Sequence, residues 1–393
     1  MEKVYIVAAQ RTPIGKFNGS LATLTAVQLG TTVIKDVLAK SGLAAGQVDQ
    51  VLMGNVIQAG SGQNPARQAS MAAGLGQAVP AITINDVCAS GLSSINLAAS
   101  LIQSGQAQVI IAGGMESMTN APYVLKKARG GYRFGDGTLI DAMQEDALKD
   151  VYGGYPMGIT AENISERYHV TRQQQDDFAL ASHQKAVRAQ ETAAFDPEIT
   201  PVPVIDRHGS HVVDQDEAPR PDTSMAALAK LKPVFKQNGT VTAGNASGIN
   251  DGAAAVALAS ATAVEEYSLT PLAEWDGASL VGIDPAVMGL GPYYAIKKLF
   301  ETTGLSTADV DLYEINEAFA TQALVCQDWL HLDPAKINPR GGAIALGHPV
   351  GCSGARILVT LVHEMQDLDR QTGIASLCVG GGMGIAALVR RDE

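Results

Sequence analysis

Two cysteines and one histidine occupy places in the sequence where side chains can carry out acyl chemistry. Cys88 lies in NDVCASG, residues 85–91, where an apolar strand gives way to small residues and then a helix. His348 lies in GGAIALGHPVG, residues 341–351, and Cys378 ends a second apolar strand. A thiol at a helix N-terminus is stabilised as thiolate by free N–H groups and the helix dipole. A nearby histidine can take its proton, so the pattern predicts an acyl carrier on Cys88.

Each of these residues also has a simpler interpretation. Cys88 alone is equally consistent with an inert buried thiol, because free cysteine packs as a small hydrophobe. Cys88, Cys378 and His348 together are proper zinc ligands, although no closely spaced ligand pair supports a metal site. The other histidines are expected to be solvated or merely hydrogen-bonded: His169, His183, His208, His211, His331 and His363.

A glycine-rich strand end and an asparagine complete the candidate site. Residues 378–384 read CVGGGMG, so a second thiol, able to act as acid and base, precedes backbone N–H groups that can hold an oxyanion. Asn316 opens NEAFA and has the position of a helix N-cap, but its amide can also orient a water. Cys326 and Cys352 are expected to pack in the core.

A weak internal repeat indicates which elements position these residues. SGL at residues 41–43 and TGL at 303–305 each follow an amphipathic helix, at an offset of 262 residues. ASG precedes an apolar helix at 92–103, and CSG precedes another at 355–365, at an offset of 263 residues. GGM occurs after an apolar strand in both copies. Two copies of one α/β unit follow, and their pseudo-twofold symmetry would bring the Cys88 and His348 loops together.

The segment between the copies differs in texture and indicates an inserted domain. It contains a loop rich in Gly, Arg and aromatic residues at 126–137, a polar helix at 172–190 and a proline-rich stretch at 197–221. The predicted division is residues 1–118 plus 250–268 for the N-terminal unit, 119–249 for a loop domain over the active site, and 269–393 for the C-terminal unit.

Composition excludes several classes of function. The formal net charge of −12, with no basic stripe, argues against nucleic-acid binding, which depends on neutralising phosphates. No apolar run reaches the roughly 18 residues of a membrane span. Neither end of the sequence carries a recognisable targeting signal, and the four cysteines form no disulfide framework, so free thiols and a cytoplasmic location are expected.

Taken together, these motifs resemble the thiolase family over essentially the whole chain. The resemblance extends to five further ordered motifs: RTPIG at 11–15, NPARQ at 64–68, GGMESM at 113–118, TVTAGNASG at 240–248 and NDGAA at 250–254. It implies an α/β fold in which duplicated βαβαβαββ units pack as five layers, α-β-α-β-α, with an inserted loop domain.

The resemblance also implies roles for the candidate residues. Cys88 would be the nucleophile, His348 would activate it, and Cys378 would move the proton of the incoming acetyl methyl group. One oxyanion hole would use His348 and a water held by Asn316, and the other the N–H groups of Cys88 and Gly380. Reaction through an acyl-enzyme implies ping-pong kinetics.

Coenzyme A would be a substrate and product, with no separate cofactor or metal. The coenzyme A surface implied by the resemblance comprises Arg220, Phe235, Ala243 and Ser247. Residues of the same substrate site closer to the chemistry would be Leu148, Met157, Met288, Ala318 and Phe319.

Within the family, the sequence favours condensation of two acetyl-CoA to acetoacetyl-CoA and CoA over broad-chain degradative thiolysis. Leu148 and Met288 resemble side chains that limit acyl length in the short-chain branch. Pro156 stands where that branch commonly has His, and Pro339-Arg340 stands where Val-Asn is usual, so a broad-chain enzyme remains the alternative. A carrier-protein ketosynthase and a non-catalytic lipid-binding relative are less consistent with the set Cys88, His348, Asn316 and Cys378.

The resemblance further predicts a homo-oligomer. A dimer would form through the sheet edge of the first unit, and the loop at 126–137 would join two dimers into a tetramer.

Overall fold

A computed structural model describes residues 2–207 and 209–391, which leaves His208 outside the described residues. The strands are β1 Val4–Arg11, β2 Gly15–Lys16, β3 Gln50–Gly54, β4 Ala81–Ile84, β5 Val109–Ser117, β6 Tyr123–Val124, β7 Ile140–Asp141, β8 Val202–Asp206, β9 Gly209–Val213, β10 Asn250–Ser260, β11 Ala273–Gly282, β12 Leu312–Ile315, β13 Thr372–Val379 and β14 Met383–Arg390. The helices are α1 Ala26–Ser41, α2 Pro65–Ala72, α3 Ser90–Gln103, α4 Gly158–Tyr168, α5 Arg172–Glu191, α6 Met225–Leu228, α7 Ala261–Glu266, α8 Gly291–Thr303, α9 Ala320–Trp329, α10 Ala343–Leu346 and α11 Val350–Asp367.

Two half-sheets of related topology form the framework. The first has the order β1-β10-β5-β3-β4 and the second β11-β14-β13-β12, and β1 pairs with β11 to join them into one ten-stranded sheet. In each half the last strand, β10 or β14, is antiparallel to both its neighbours. The second half replaces β4 by a single parallel bridge between Tyr313 and Ile337. The duplicated α/β unit predicted from the repeat is therefore present.

The helices cover both faces of each half-sheet. Helices α1 and α2 pack on the outer face of the first half, and α8 packs on the outer face of the second. Helices α3 and α11 lie between the halves, where Leu92 and Ile95 share a buried cluster with Leu358 and Leu361. This arrangement gives the predicted five layers, with apolar strands buried on both faces.

Two glycines allow the central helices to cross closely. A Cβ on Gly91 would lie 2.7 Å from the Ala355 nitrogen, and one on Gly354 would lie 2.6 Å from the Leu92 nitrogen. These reciprocal contacts relate α3 to α11 at the offset of the sequence repeat. Only glycine fits at such a crossing, because a larger residue would separate the helices.

Two boundaries of the repeat were predicted wrongly. Helix α11 begins at Val350 rather than at 355, so CSG forms its first turns and does not precede it. Strand β5 continues to Ser117, so its GGM lies inside the strand, whereas residues 380–382 form the turn between β13 and β14. Contact between the two units accounts for both differences. Strand β5 and the start of α11 pack so closely that a Cβ on Gly114 would lie 2.0 Å from the Gly351 carbonyl oxygen.

Residues 119–249 contribute no strand to the ten-stranded sheet within the described chain. They are tied to β1 by a buried guanidinium: Arg11 Nε lies 2.5 Å from Glu198 Oε1, and Arg11 Nη1 lies 2.7 Å from Asp216 Oδ1. The predicted polar helix at 172–190 is α5, which packs against α9 and α10. Helix α5 is thereby placed beside the loops that carry Asn316 and His348. Across the described ranges, every helix is too short or too polar to cross a membrane.

Candidate active site

The loop between β4 and α3 presents Cys88 on strained backbone. Val87 has a φ of 46°, which is unusual for a β-branched residue. Short hydrogen bonds hold it there: the Val87 N–H donates to Asn85 Oδ1 at 3.1 Å, and Ser90 Oγ donates to the Val87 carbonyl at 2.7 Å. Ser90 Oγ also accepts the Asp86 N–H at 2.9 Å. A side-chain scaffold therefore fixes the backbone around Cys88.

Burial keeps the Cys88 thiol neutral in the free protein. It raises the pKa of Cys88 to about 11, although the backbone N–H groups of Gly380 and Cys88 oppose that shift. Burial outweighs these two N–H groups, so the free protein carries a neutral thiol at Cys88 where the helix end was expected to stabilise a thiolate. The same two N–H groups nevertheless converge on the sulfur, where an oxyanion hole was predicted.

His348 is fixed in position by two polar side chains that sequence reasoning missed. Its N–H donates to Asn250 Oδ1 at 3.0 Å, and its Nδ1 lies 2.5 Å from Ser353 Oγ. Ser353 Oγ donates its single proton to the Pro349 carbonyl at 2.9 Å, so it accepts from Nδ1–H. The Nε2 atom is then left unprotonated and able to accept a proton.

Electrostatics support the same protonation state. Burial, followed by the charge of Arg356, lowers the pKa of His348 to about 4. At neutral pH the imidazole is therefore uncharged, which is the form that a general base requires.

Cys378 lies at the end of β13, in contact with an apolar cluster. Burial, followed by the neighbouring Cys88, raises its pKa well above the usual value. The cluster also contains Met288 and Ala318, with Met157 packed against it. A second neutral thiol is thus placed beside the first.

Asn316 is not a helix N-cap, contrary to the simpler interpretation. The N-cap of α9 is Phe319, and Asn316 lies before it, fully buried. Its Oδ1 and Nδ2 make no hydrogen bond to any group in the described ranges. A buried amide with both polar atoms unpaired is suited to hold water or a substrate oxygen.

Glu317 links three segments around the site and was also missed. Its carboxylate accepts from Ser182 Oγ at 2.6 Å, Asn338 Nδ2 at 2.9 Å and the Ile344 N–H at 3.2 Å. A Cβ on Gly342 would lie 2.2 Å from its Cδ, so the contact admits only glycine. The sequence carried a signal, since a carboxylate inside the apolar run around NEAFA needs partners.

One cavity of about 390 Å³ contains most of the predicted site. Its lining includes Cys88, His348, Cys378 and Gly380, together with Leu148, Met157, Phe235, Ala243, Ser247, Met288, Ala318 and Phe319. Asn316 does not line it. Pro156 and Gln144 do, and Gln144 opens a π-helical turn, Gln144–Leu148, that sequence reasoning did not predict.

Arg220 lies in a second, adjoining cavity of about 350 Å³. The two cavities share Ala243, Ala246, Gly248 and Ile249. The second also receives Lys16 and His183, and His183 Nδ1 accepts the Arg220 N–H at 3.2 Å. Burial, followed by the charge of Arg220, lowers the pKa of His183 to about 4, so this histidine is a neutral acceptor.

The remaining histidine and cysteine expectations concern packing. His363 Nε2 lies 2.9 Å from the Ala9 carbonyl oxygen, and Cys326 and Cys352 are buried in the core. Residues 2–207 and 209–391 contain no cluster of three or more His, Cys, Asp or Glu that could hold a metal ion. Cys88, Cys378 and His348 are thus not arranged as a zinc site.

Comparison with known proteins agrees with this geometry. The sequence model described as the thiolase N-terminal domain matches residues 4–262, and that of the thiolase C-terminal domain matches residues 269–391. The chain belongs to the thiolase family. This thiolase is 52% identical to an acetyl-CoA acetyltransferase of Pseudomonas aeruginosa over 393 residues, covering 100% of both chains. It is 48% identical, again over 100% of both chains, to a probable acetyl-CoA acyltransferase of Staphylococcus aureus.

Two solved structures have the same fold. The Bacillus anthracis acetyl-CoA acetyltransferase superposes with a TM-score of 0.97 at 45% identity, covering 99% of each chain. The human mitochondrial 3-ketoacyl-CoA thiolase superposes with a TM-score of 0.96 at 42% identity, covering 100% of this chain and 99% of that one. The fold is thus common to relatives with both names, and acyl length has to be argued from the cavity.

Proposed function

We propose that this thiolase is an acetyl-CoA C-acetyltransferase, which condenses two acetyl-CoA to acetoacetyl-CoA and CoA and catalyses the reverse thiolysis. The observation that carries the proposal is the single cavity in which a neutral imidazole and two thiols meet beside Met288 and Leu148. The name of the Pseudomonas aeruginosa relative supports the acetyl-specific assignment.

In the first half-reaction Cys88 accepts an acetyl group. His348 Nε2 takes the thiol proton as the sulfur attacks the thioester carbonyl of acetyl-CoA. The N–H groups of Cys88 and Gly380 hold the resulting oxyanion. As the tetrahedral intermediate collapses, the C–S bond to coenzyme A breaks and the proton held by His348 passes to the leaving thiolate.

In the second half-reaction Cys378 acts as the base. Its thiol proton passes to His348 Nε2, and the thiolate then removes a methyl proton from a second acetyl-CoA. The enolate oxygen accepts from the His348 Nε2–H and from a water bound to Asn316. The enolate carbon attacks the acetyl-Cys88 carbonyl, the C–S bond to Cys88 breaks, and His348 returns its proton to the departing sulfur. Acetylated Cys88 has no ionisable thiol, so it cannot carry the negative charge that would raise the pKa of Cys378 by repulsion.

The adjoining cavity is suited to the nucleotide end of coenzyme A. Lys16 and Arg220 outnumber the one carboxylate in its described lining, Asp222, and their positive charge suits phosphate groups. The residues shared with the first cavity would border the pantetheine. No cofactor or metal beyond the substrates is proposed.

We also infer a homotetramer built as a dimer of dimers. The edge strand β4 exposes Ile82, and Phe134 in the 126–137 loop is fully exposed. Apolar side chains in such places favour burial against a second copy. Four free cysteines suit a reducing, cytoplasmic location. Light scattering tests the assembly, and a monomer would contradict it.

The deciding experiment compares coenzyme A-dependent cleavage of acetoacetyl-CoA with that of 3-ketoacyl-CoA substrates of six to ten carbons. Strong preference for acetoacetyl-CoA is expected, and Met288→Ala should increase relative turnover of the longer substrates by enlarging the cavity. Equal or better wild-type turnover of long chains would identify a broad-chain degradative thiolase. In that case Pro156, on the cavity wall, becomes the residue to examine.

A further inference from the structure

A single buried carboxylate joins the loop that carries Cys88 to the loop that carries His348. Glu116, on β5, accepts four hydrogen bonds. Its Oε1 accepts from Asn55 Nδ2 at 2.7 Å and from the Ile57 N–H at 3.2 Å. Its Oε2 accepts from the Val56 N–H at 3.0 Å and from the Gly351 N–H at 2.9 Å. Both oxygens are thus used, and each binds a backbone donor.

On the nucleophile side, this carboxylate supports the loop that ends in Cys88. The Asn55 N–H donates to the Ile84 carbonyl at 2.9 Å, at the end of β4. Asn85 Nδ2 donates to the Val56 carbonyl at 3.5 Å. The segment held by Glu116 is therefore the direct neighbour of the residues from which Cys88 projects.

On the base side, Glu116 binds the first turn of α11. Gly351 lies three residues after His348, and its N–H is one of the free donors at the start of that helix. A carboxylate there also interacts favourably with the positive end of the helix dipole. The position of α11, and with it that of His348, is thus fixed relative to the first unit.

The contact between β5, which carries Glu116, and the first turn of α11 is too close to allow adjustment. A Cβ on Gly351 would lie 2.6 Å from Glu116 Oε2 and 3.0 Å from the Asn55 Cα. A Cβ on Gly114, two residues before Glu116, would lie 2.0 Å from the Gly351 carbonyl oxygen. Strand and helix backbones are in direct contact, so a change at Glu116 must move one of the two loops.

Glu116 does not line the cavity that contains Cys88 and His348. Burial raises its pKa to about 7, while the N–H groups of Val56, Ile57 and Gly351 oppose that shift. Burying the Glu116 carboxylate costs desolvation free energy. The hydrogen bonds that it makes to the two loops must offset that cost.

We propose that Glu116 is a positioning residue that sets the distance between Cys88 and His348, and so the rate at which Cys88 is acylated. The inference rests on the proposed function, because it takes Cys88 as nucleophile and His348 as its base.

The test compares Glu116→Gln with Glu364→Gln in the full-length enzyme. The glutamine amide replaces one acceptor oxygen by an NH₂ that faces N–H donors. The segment at 55–57 and the first turn of α11 must therefore move apart. We expect kcat and the single-turnover rate of acetyl-Cys88 formation to fall by about 10- to 100-fold, with KM for coenzyme A within about twofold. Glu364 is the matched control, since it is buried on the same α11 and its carboxylate oxygens make no hydrogen bond within the described residues.

A kcat for Glu116→Gln within about twofold of wild type, or equal losses in both variants, would overturn the proposal. If Glu116→Gln does not fold, Asn55→Ala takes its place, because it removes one donor and leaves the carboxylate. A fall in kcat of about threefold or more at unchanged KM is then expected, and an unchanged kcat refutes the positioning role. Mass spectrometry of wild type with acetyl-CoA separates the two ideas: without acetyl-Cys88 the proposed function itself fails.

Discussion

Each copy of the α/β unit has a serine at the equivalent position, and the two serines have different roles. Ser90 in α3 and Ser353 in α11 precede the paired glycines of the helix crossing, Gly91 and Gly354. Ser90 Oγ bonds the Asp86 N–H and the Val87 carbonyl, and so holds strained backbone beneath the nucleophile. Ser353 Oγ bonds the Pro349 carbonyl and His348 Nδ1, and so fixes a tautomer.

The difference follows from where each helix begins. Relative to the glycine pair, α11 starts three residues earlier than α3. In the first copy those residues form the turn that carries Cys88, and in the second they form a helical turn that Glu116 can bind. The two copies thus have equivalent helix ends that start at different places. The end at α3 supports the nucleophile Cys88, and the end at α11 supports the base His348.

The largest effect on turnover is expected from removing the nucleophile, which only the first copy supplies. Cys88→Ala should lower turnover by about 10⁴-fold or more and abolish acetyl-enzyme formation, because the acetyl-Cys88 thioester can no longer form. Cys352→Ala, at a buried packing position in the first turn of α11, is the matched control and should keep acylation. Normal acetyl labelling of Cys88→Ala would remove Cys88 from its role.

Cys378→Ala should separate the two half-reactions. It leaves Cys88 and His348 intact, so acylation by acetyl-CoA should continue at a reduced rate. Condensation should fall by about 10²- to 10⁴-fold through loss of the base. Rapid-quench measurement of each step checks this, and wild-type condensation by the variant would disprove the assignment.

The protonation states of Cys88 and His348 predict a pH dependence. The pKa of Cys88 is raised to about 11 and that of His348 is lowered to about 4, so both groups are neutral at pH 7. Alkylation of Cys88 by iodoacetamide should therefore rise about tenfold per pH unit, or about 100-fold from pH 7 to 9, as thiolate forms. A rate that stays flat from pH 6 to 9 would indicate a thiolate–imidazolium pair instead.

The equivalent serines should respond differently to removal. Ser353→Ala releases Nδ1 and is expected to lower kcat by about tenfold, because the imidazole then samples the wrong tautomer. Ser90→Ala leaves the part-buried Asp86 N–H unpaired and should lower the free energy of unfolding by about 1–3 kcal/mol. Steady-state kinetics and urea unfolding on both variants measure the contrast, which disappears if the two serines have the same effect.

Local sequence is enough to predict the residues that carry the chemistry and the helices that end in local signals. Helix α1 follows the N-cap Thr25 and its partner Gln28, and it ends at Gly42 with a φ of 75°. The sequence predicts this helix over residues 26–40, and in the structure it spans Ala26–Ser41. Capping and glycine conformation act within one turn of chain, so they can be predicted from neighbouring residues.

Features that depend on burial or on contact with distant backbone could not be predicted from the local sequence. Asn316 looked like a cap, yet its amide is buried and unpaired because α9 begins only after Phe319. Cys88 seemed activated by a helix end, but desolvation dominates its pKa. The roles of Glu116 and Gly351 arise from contacts across 235 residues of sequence, which no local pattern encodes. Local hydrogen bonds select the elements, whereas non-local packing decides which polar groups meet and how far each is removed from water.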